Sequence, residues 1–189
     1  VDIYHILNIA TTGALAFYFN DCPQSTHQFL RELAEFTQER IQNHFTSFKT
    51  EYSEDRALDR KNLNYQTKPK IRIGYLSECL RRHSVGWISR WLFQYHDTDR
   101  FEIYAYSLGM TDDNVQQFIG HNCTEFWHLS LNNSIANIAE KINEDKIDIL
   151  VDLDSLTSKH CYSVLALRPA PIQITWLGMD ASELPAIDY

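Results

Sequence analysis

The stretch Ile147-Asp-Ile-Leu-Val-Asp-Leu153 is the clearest β-strand in the sequence, and it decides the fold. It lies between two segments with helical spacing, residues 135–143 and 158–167. Further strand patterns occur at residues 71–76, 101–106, 125–129 and 171–177, and further helical patterns at 85–96 and 113–119. Strands that alternate with helices of about 10–15 residues are joined by right-handed crossovers. The pattern therefore predicts an α/β fold with a parallel, doubly wound sheet.

The chain divides near Lys68-Pro69, because the pattern before this point is helical. A first, apolar helix is predicted from His5 to Phe19. A second is predicted from Gln24 to Thr50, with apolar residues at helical spacing and charged residues between them. Residues 51–69 are polar and typical of a linker. We therefore divide the chain into a helical segment, 1–67, and an α/β domain, 68–189.

Composition narrows the class of protein. The chain has 189 residues, 44% of them apolar, and a formal charge of −8, so it can bury a core and is poorly suited to bind nucleic acid through phosphates. The four cysteines are far apart, which does not favour a zinc knuckle or a redox pair. No signal peptide pattern opens the sequence, and no apolar run reaches membrane-spanning length. We expect a cytoplasmic protein that binds neither nucleic acid nor a membrane.

The segment Arg81-Arg-His-Ser-Val-Gly-Trp87 contains the first candidate site residue, His83. It follows the first predicted strand, and ligands of parallel sheets gather at the carboxyl ends of the strands. If the next helix begins near Ser84, that serine can cap it, and the free N–H groups would favour an anion near His83. The alternative is a half-exposed histidine that packs on Trp87 or Tyr95.

Two phosphate-binding motifs are absent from the sequence. Neither the G-x-G-x-x-G fingerprint nor a Walker loop follows the first strand, which reads Gly74-Tyr-Leu-Ser-Glu-Cys-Leu-Arg-Arg-His83. Their absence argues against a stand-alone dehydrogenase or NTPase.

Asp152 and Asp154 end the fourth strand on one face, where a metal site or an acid/base pair is conceivable. Solvated carboxylates or caps of the next helix are favoured, because no third ligand stands beside them. Cys79 is a second candidate, since Arg81, Arg82 and His83 could lower the pKa of its thiol, although burial is an equal alternative.

Other side chains near these positions are expected to be structural. His160 and Cys161 are adjacent in a helix, where neighbours point in different directions, so the pair is predicted to be incidental. The aromatic residues of the helix after His83 are predicted to lie mostly in the core: Trp87, Trp91, Phe93 and Tyr95. The turn Gly178-Met-Asp-Ala-Ser182 could present a backbone N–H to a ligand.

Three segments together resemble one family. They are Lys70-Ile-Arg-Ile-Gly-Tyr-Leu-Ser77 with His83-Ser-Val85, Asp145-Lys-Ile-Asp-Ile-Leu-Val-Asp-Leu153, and Leu167-Arg-Pro-Ala-Pro-Ile-Gln-Ile-Thr-Trp-Leu-Gly178 with Ile187-Asp-Tyr189. They resemble the amino-terminal catalytic lobe of the O-GlcNAc transferase / SPINDLY-like glycosyltransferases, and the resemblance covers about residues 68–189. The third string is long and ordered, so it is far more specific than a short motif.

The resemblance implies a GT-B architecture, in which two Rossmann-like lobes face each other across a cleft. It implies a fragment of an inverting protein O-glycosyltransferase that moves a sugar, GlcNAc or a related one, from a nucleotide-sugar to Ser or Thr of a target protein. The other lobe would hold most of the nucleotide, so this lobe alone is expected to be inactive. The resemblance also implies a tetratricopeptide array in the same full-length chain, and neither a metal nor a cofactor.

Site roles carry over from the family residue by residue. His83 matches the family histidine at the sugar-nucleotide, which makes it the candidate catalytic residue, in a binding or polarising role. Ser84, Val85, Leu177 and Gly178 match substrate-binding positions. The family often has an aspartate where this chain has Cys79, so a non-catalytic protein-interaction module derived from the same lobe is the alternative. A receiver-like domain would need an acidic cluster at the first strand, and residues 71–76 contain no acidic residue.

Overall fold

Five parallel strands and six helices are present in the structure, a computed structural model that describes residues 3–13, 15, 18, 22–46, 70–109, 111–130, 133–178 and 182–189. In chain order the elements are α1 (Ile3–Gly13), α2 (Pro23–His44), β1 (Ile71–Ser77), α3 (Ser84–Tyr95), β2 (Phe101–Ser107), α4 (Asn114–His121), β3 (Glu125–His128), α5 (Ile135–Glu144), β4 (Ile149–Asp152), α6 (Lys159–Ala166) and β5 (Ile172–Thr175). The boundary near Lys68-Pro69 and the predicted linker lie outside the described residues.

The strand order is β3-β2-β1-β4-β5, and every neighbouring pair is parallel. The chain moves outward from β1 through β2 to β3, then crosses to the other side of β1 for β4 and β5. This change of direction leaves a crevice beyond the carboxyl ends of β1 and β4, where open α/β sheets bind ligands. The predicted α/β fold with a parallel, doubly wound sheet is confirmed.

Each face of the sheet is covered by a separate layer of helices. One buried cluster joins the sheet to α1, α2, α5 and α6, and the other joins it to α3 and α4. The amino-terminal helices α1 and α2 pack against α6, on the same side of the sheet: Gln42 Nε2 on α2 donates to the carbonyl of Ala166, the last residue of α6, at 3.0 Å. None of the helices among the described residues is long and apolar enough to cross a membrane.

The element bounds differ from the predicted ones mainly at the ends of the first two helices. Helix α2 ends at His44 rather than Thr50, and the N–H of Phe45 bonds to the carbonyl of Ile41 at 3.0 Å. Helix α1 ends at Gly13, and most of the remainder of the helix predicted to Phe19 lies outside the described residues.

The expectation that the aromatic residues of α3 belong mostly to the core is wrong. Phe93 is 2% exposed, but Trp87 is 41%, Trp91 44% and Tyr95 75% exposed. Helix α3 buries the face that carries Val85, Ser89 and Phe93. The three exposed rings stand at i, i+4 and i+8, so they share another face of the helix, and hydropathy alone could not tell which face meets the sheet.

Arg168 and Gln173, from the segment that carries the family resemblance, hold the last residues of the chain beside β5, and we call their hydrogen bonds the clamp. The Arg168 guanidinium donates to the carbonyl of Ala186 at 2.6 Å and to Asp188 Oδ1 at 2.8 Å. Gln173, which is fully buried, donates from Nε2 to the carbonyls of Leu165 at 3.0 Å and Ala186 at 2.9 Å. These bonds hold residues 184–189 along β5, so the most recognisable residues have a structural role.

We expect Gln173→Met to lower the free energy of unfolding by about 1–2 kcal/mol, because two buried carbonyls each lose one donor while side-chain volume is nearly kept. Urea titration followed by far-UV circular dichroism measures the loss. The exposed Gln117→Met should change stability by less than about 0.5 kcal/mol. Equal stability of the two variants would contradict the clamp.

Candidate functional site

The loop between β1 and α3 places His83 at the amino terminus of α3. His83 has extended backbone angles, φ −144° and ψ 160°, and its Nδ1 accepts a hydrogen bond from the Val85 N–H at 3.3 Å. The helix begins at Ser84, and the carbonyl of His83 accepts from the Trp87 N–H at 2.9 Å. The prediction that Ser84 caps the helix is therefore wrong, because the histidine ring occupies the capping position.

This cap decides what His83 can do chemically. Since Nδ1 accepts a hydrogen bond, the neutral ring carries its proton on Nε2, an assignment that follows from the hydrogen-bond pattern. The Nε2–H group, which the cap does not use, is then available as a hydrogen-bond donor. In this arrangement a neutral His83 can donate to a hydroxyl or phosphate oxygen, but it presents no lone pair for a general base.

Gly86 allows the loop to fold tightly onto the first turn of α3. A Cβ at this position would collide with the carbonyl oxygen of Arg81 and would lie 2.9 Å from the Arg81 nitrogen. Real Cβ atoms do not approach backbone so closely, so only glycine fits without moving the loop that carries His83.

An open cavity of about 540 Å³ lies at the carboxyl edge of the sheet. All five site residues predicted from the sequence line it together: His83, Ser84, Val85, Leu177 and Gly178. The lining also contains Cys79, the second candidate from the sequence, and two residues that the sequence did not single out, Ile88 and Thr157. Thr157 follows β4 at the edge where ligands of parallel sheets gather, whereas nothing in the sequence indicated that Ile88, one turn along α3, would turn toward the cavity.

Asp154 connects the turns that surround this cavity. Its carboxylate accepts from Ser77 Oγ at 2.7 Å and from the Glu78 N–H at 2.6 Å. Ser77 Oγ in turn accepts from the Cys79 N–H at 2.8 Å. One carboxylate on the β4 turn therefore sets the path of the chain as it leaves β1.

The turn after β5 is held against the same residue. Gly178 has a positive φ of 73°, and a Cβ there would collide with the carbonyl oxygen of Asp154. Leu177 also has a positive φ, 65°, which is unusual for a residue with a side chain. The close approach of two backbones thus requires glycine at position 178 and brings Leu177 to the cavity.

Asp152 and Asp154 are not solvated and do not cap the next helix, so that expectation is wrong. Both are buried, and Asp152 accepts from the N–H groups of Asp154 at 3.0 Å and Ser155 at 2.9 Å. The cap of α6 is Ser158. Burial raises the pKa of Asp152 to about 7, and burial also raises the pKa of Asp154. Alternation along a strand indicates a shared face but not whether that face meets solvent.

Two cysteines, Cys79 and Cys161, lie near the turns of the site. Burial, with the nearby charge of Asp154, raises the pKa of Cys79 to about 11, and the opposing effect of Arg81 is smaller. Of the two alternatives that the sequence left open for Cys79, burial is the one that the structure supports. Cys161 is buried with Sγ 3.6 Å from Asp154 Oδ2, whereas His160 Nδ1 lies 2.9 Å from Glu78 Oε1. The two neighbours have different partners, as predicted.

The described residues contain no group of three His, Cys, Asp or Glu side chains placed to hold a metal ion. Of the lining residues that the structure describes, none carries a carboxylate. What the described lining offers a ligand is a ring N–H, hydroxyl groups, the N-terminus of α3 and the backbone of a left-handed turn.

A family model described as glycosyl transferase family 41 matches residues 26–189. A UDP-N-acetylglucosamine–peptide N-acetylglucosaminyltransferase of Caenorhabditis elegans is 33% identical over 118 residues, which are 62% of this chain and 10% of that protein. A probable enzyme of the same name, SPINDLY of Arabidopsis thaliana, is 33% identical over 132 residues, 68% of this chain and 14% of that protein. The chain thus spans only a small part of the length of these relatives.

A solved structure of a mutant O-GlcNAc transferase from Thermobaculum terrenum superposes with a TM-score of 0.60 and 25% sequence identity. The alignment covers 97% of this chain and 36% of that one. The likeness therefore includes the amino-terminal helices as well as the sheet.

We expect Gly86→Ala to lower the free energy of unfolding by about 1–3 kcal/mol, because the added Cβ must push the Arg81 carbonyl away. Gly120→Ala is the matched control, since it is also a helical glycine but a Cβ there would lie an ordinary 3.7 Å from Phe126. Its stability should be unchanged or higher by up to about 1 kcal/mol. Thermal and urea unfolding compare the two, and an equal effect would contradict the tight loop.

We expect the stability of the protein to depend on pH through the buried carboxyl group of Asp152. Burial raises the pKa of Asp152 from 3.8 to about 7, so the folded protein must ionise a buried group that is already ionised in the unfolded chain. Its contribution to stability is present below pH 3.8 and is lost as the pH rises toward 7. Relative to Asp152→Asn, the unmodified protein should lose about 2–3 kcal/mol between pH 5 and 8.

Urea unfolding at these two pH values measures this difference, and the exposed Asp99→Asn serves as control. Parallel stability curves for the unmodified protein and Asp152→Asn would show that Asp152 is already ionised without penalty in the folded state.

Proposed function

This chain belongs to glycosyl transferase family 41, and from that premise we propose that it forms the amino-terminal lobe of an inverting protein O-glycosyltransferase. A Ser or Thr hydroxyl of a target protein would attack the anomeric carbon of a nucleotide-sugar, and the nucleoside diphosphate would leave. The transferred sugar is proposed to be GlcNAc or a related one. The names of the relatives support this proposal, since they are peptide N-acetylglucosaminyltransferases that use UDP-N-acetylglucosamine.

The observation that carries the proposal is the cavity at the carboxyl edge of β1, β4 and β5. It brings the predicted residues from two distant segments together, Ser84 and Val85 with Leu177 and Gly178, around His83. It lies where the strand order reverses, which is the ligand site of open α/β sheets. It has no phosphate loop of its own, which suits a lobe that faces the sugar while another part of the protein holds the nucleotide.

In this mechanism the described residues act on the leaving group and the sugar. As the bond to the anomeric carbon breaks, negative charge develops on the diphosphate, and the N–H of His83 Nε2 and the N-terminus of α3 are donors that favour such charge. The proton of the acceptor hydroxyl needs another destination. Cys79, with a pKa of about 11, is a thiol at neutral pH, and none of the described residues that line the cavity carries a carboxylate. The base therefore comes from the substrate or the rest of the protein.

The proposal extends to partners and location. The partners are a nucleotide-sugar, target proteins with Ser or Thr acceptors, and a tetratricopeptide array in the same full-length chain. The proposed location is the cytoplasm, without binding to nucleic acid or membranes. We propose no metal or organic cofactor, because donors of the site and positive groups elsewhere in the protein would meet the charge of the leaving group.

A non-catalytic protein-interaction module is the second candidate. The observation that favours it is the protonated thiol of Cys79 where the family often has an aspartate. Such a module would keep the fold and bind target proteins, but it would not transfer sugar.

The test compares His83→Asn with His83→Ala in the full-length protein. Asparagine is a good N-cap, so His83→Asn should keep the helix while losing the ring N–H, whereas His83→Ala should also lose about 1 kcal/mol of stability. If His83 binds the leaving group, both variants should transfer radiolabelled sugar from UDP-GlcNAc to protein about 100-fold more slowly. The exposed His121→Asn is the control, and it should transfer normally.

Full activity of His83→Asn would show that His83 is only a cap. A full-length protein that binds target proteins but transfers nothing from UDP- or GDP-sugars would instead establish the interaction module.

A further inference from the structure

An exposed aromatic surface lies beside the cavity. We call it the aromatic ridge, and it consists of Trp87, Ile88, Trp91 and Tyr95 on α3 with Phe118 on α4. Ile88 is 56% exposed, Tyr95 is mostly in solvent, and Trp87 and Trp91 are each a little under half exposed. The rings contact each other: the Trp91 and Tyr95 centroids are 6.1 Å apart, and those of Trp91 and Phe118 are 5.7 Å apart. Apolar patches of this kind on soluble proteins mark interaction sites.

Arg90 is held on the aromatic ridge without an anionic partner. Its guanidinium carbon lies 4.4 Å from the centre of the Trp87 ring and 4.2 Å from that of Trp91. Its Nε is buried and has no hydrogen-bond acceptor. Among the described residues no carboxylate forms an ion pair with it. The guanidinium of Arg90 therefore carries a positive charge without an anionic partner among the described residues, and a ligand that supplies a negative charge would be bound favourably here.

The surrounding charges indicate which ligand fits. Helices α3 and α4 contain no Asp or Glu, although the whole chain has 25 of them. The nearby Asp113 carboxylate is occupied by the N–H groups of Arg82, Val115 and Gln116. A carboxylate from another molecule is therefore the complement of Arg90, because it matches the planar guanidinium with two oxygens.

The ridge is continuous with the candidate site. Ile88 belongs to it and also lines the cavity beside His83. Arg90 is seven residues beyond His83 along the helix axis, which is about 10 Å at the rise of an α-helix. An extended polypeptide covers this distance in about three residues.

We propose that the aromatic ridge is the docking surface of the acceptor polypeptide. An acidic side chain about three residues from the acceptor Ser or Thr pairs with Arg90, and neighbouring apolar side chains pack on Trp87 and Trp91. Tryptophan, tyrosine and arginine are the residue types that dominate binding energy at protein interfaces, and here all three stand together. The inference rests on the proposed function, since it names the kind of acceptor that the same site receives.

The experiment uses the full-length protein and a set of fluorescein-labelled peptides. Each peptide has one central Ser in an Ala/Pro background, with a Glu at one chosen position up to six residues before or after it. Matched peptides carry Gln at the same position. Fluorescence anisotropy without donor measures binding, and transfer from UDP-GlcNAc gives KM and kcat.

The peptide with Glu about three residues from Ser should bind about tenfold more tightly than its Gln counterpart, with the difference in KM rather than kcat. Arg90→Gln should remove the difference, and Trp91→Ala should weaken binding of both peptides about tenfold. The matched control is Arg40→Gln, because Arg40 lies 5.0 Å over the exposed ring of Phe36 on α2, away from the cavity. It should leave the difference intact, and urea unfolding confirms that each variant is folded.

Equal binding of the Glu and Gln peptides, no binding, or discrimination that survives Arg90→Gln would overturn the proposal. A concentration-dependent dimer in sedimentation that Trp91→Ala abolishes would also overturn it, by making the ridge a contact between copies of this chain. Discrimination in binding without any transfer would keep the docking surface and refute the proposed enzyme. Equal transfer to all peptides would support the proposed enzyme and refute the docking surface.

Discussion

The buried carboxylate of Asp154 is the interaction on which the site depends. It accepts from Ser77 Oγ and the Glu78 N–H on the β1 turn, while its own backbone meets Gly178 on the β5 turn. A carboxylate inside a protein is tolerated only when donors surround it, and here the donors are the groups whose positions define the cavity. Burial removes the Asp154 carboxyl group from water, which raises its pKa and costs free energy. The same burial lets one residue connect three turns that are far apart in the chain.

The residues that identify the family and the residues that line the cavity have different roles. Arg168 and Gln173 hold the last described segment along β5, and both bind backbone carbonyls rather than the cavity. Leu177 and Gly178, a few residues later, form the wall. The hydrogen bonds of Arg168 and Gln173 fix β5, and the turn that carries Leu177 and Gly178 follows this strand directly. The sequence string that identifies the family therefore has a structural role and also positions part of the site.

The sequence predicted where His83 lies in the fold, but it did not predict the hydrogen bond of its ring or the burial of the residues around it. The strand pattern before it and the helical pattern after it place it at the carboxyl edge of the sheet, and the resemblance adds Leu177 and Gly178. Its chemical role depends on a hydrogen bond that spacing does not show: Nδ1 is used as a helix cap, so only Nε2 remains for a ligand. The low reactivity of Cys79 has a similar origin, since burial raises the pKa of this thiol more than the neighbouring Arg81 lowers it.

By itself the sequence determined the alternation of strands and helices, the parallel sheet and the loops that meet at its edge. These follow from the periodicity of apolar residues and from local turn chemistry, which act within a few residues. Only the tertiary structure decided that Asp152 and Asp154 are buried and that Trp87 and Trp91 are partly exposed. The reason is physical: burial, hydrogen bonding and the shift of a pKa depend on neighbours such as Ser77 and Asp154, which are 77 residues apart in the chain.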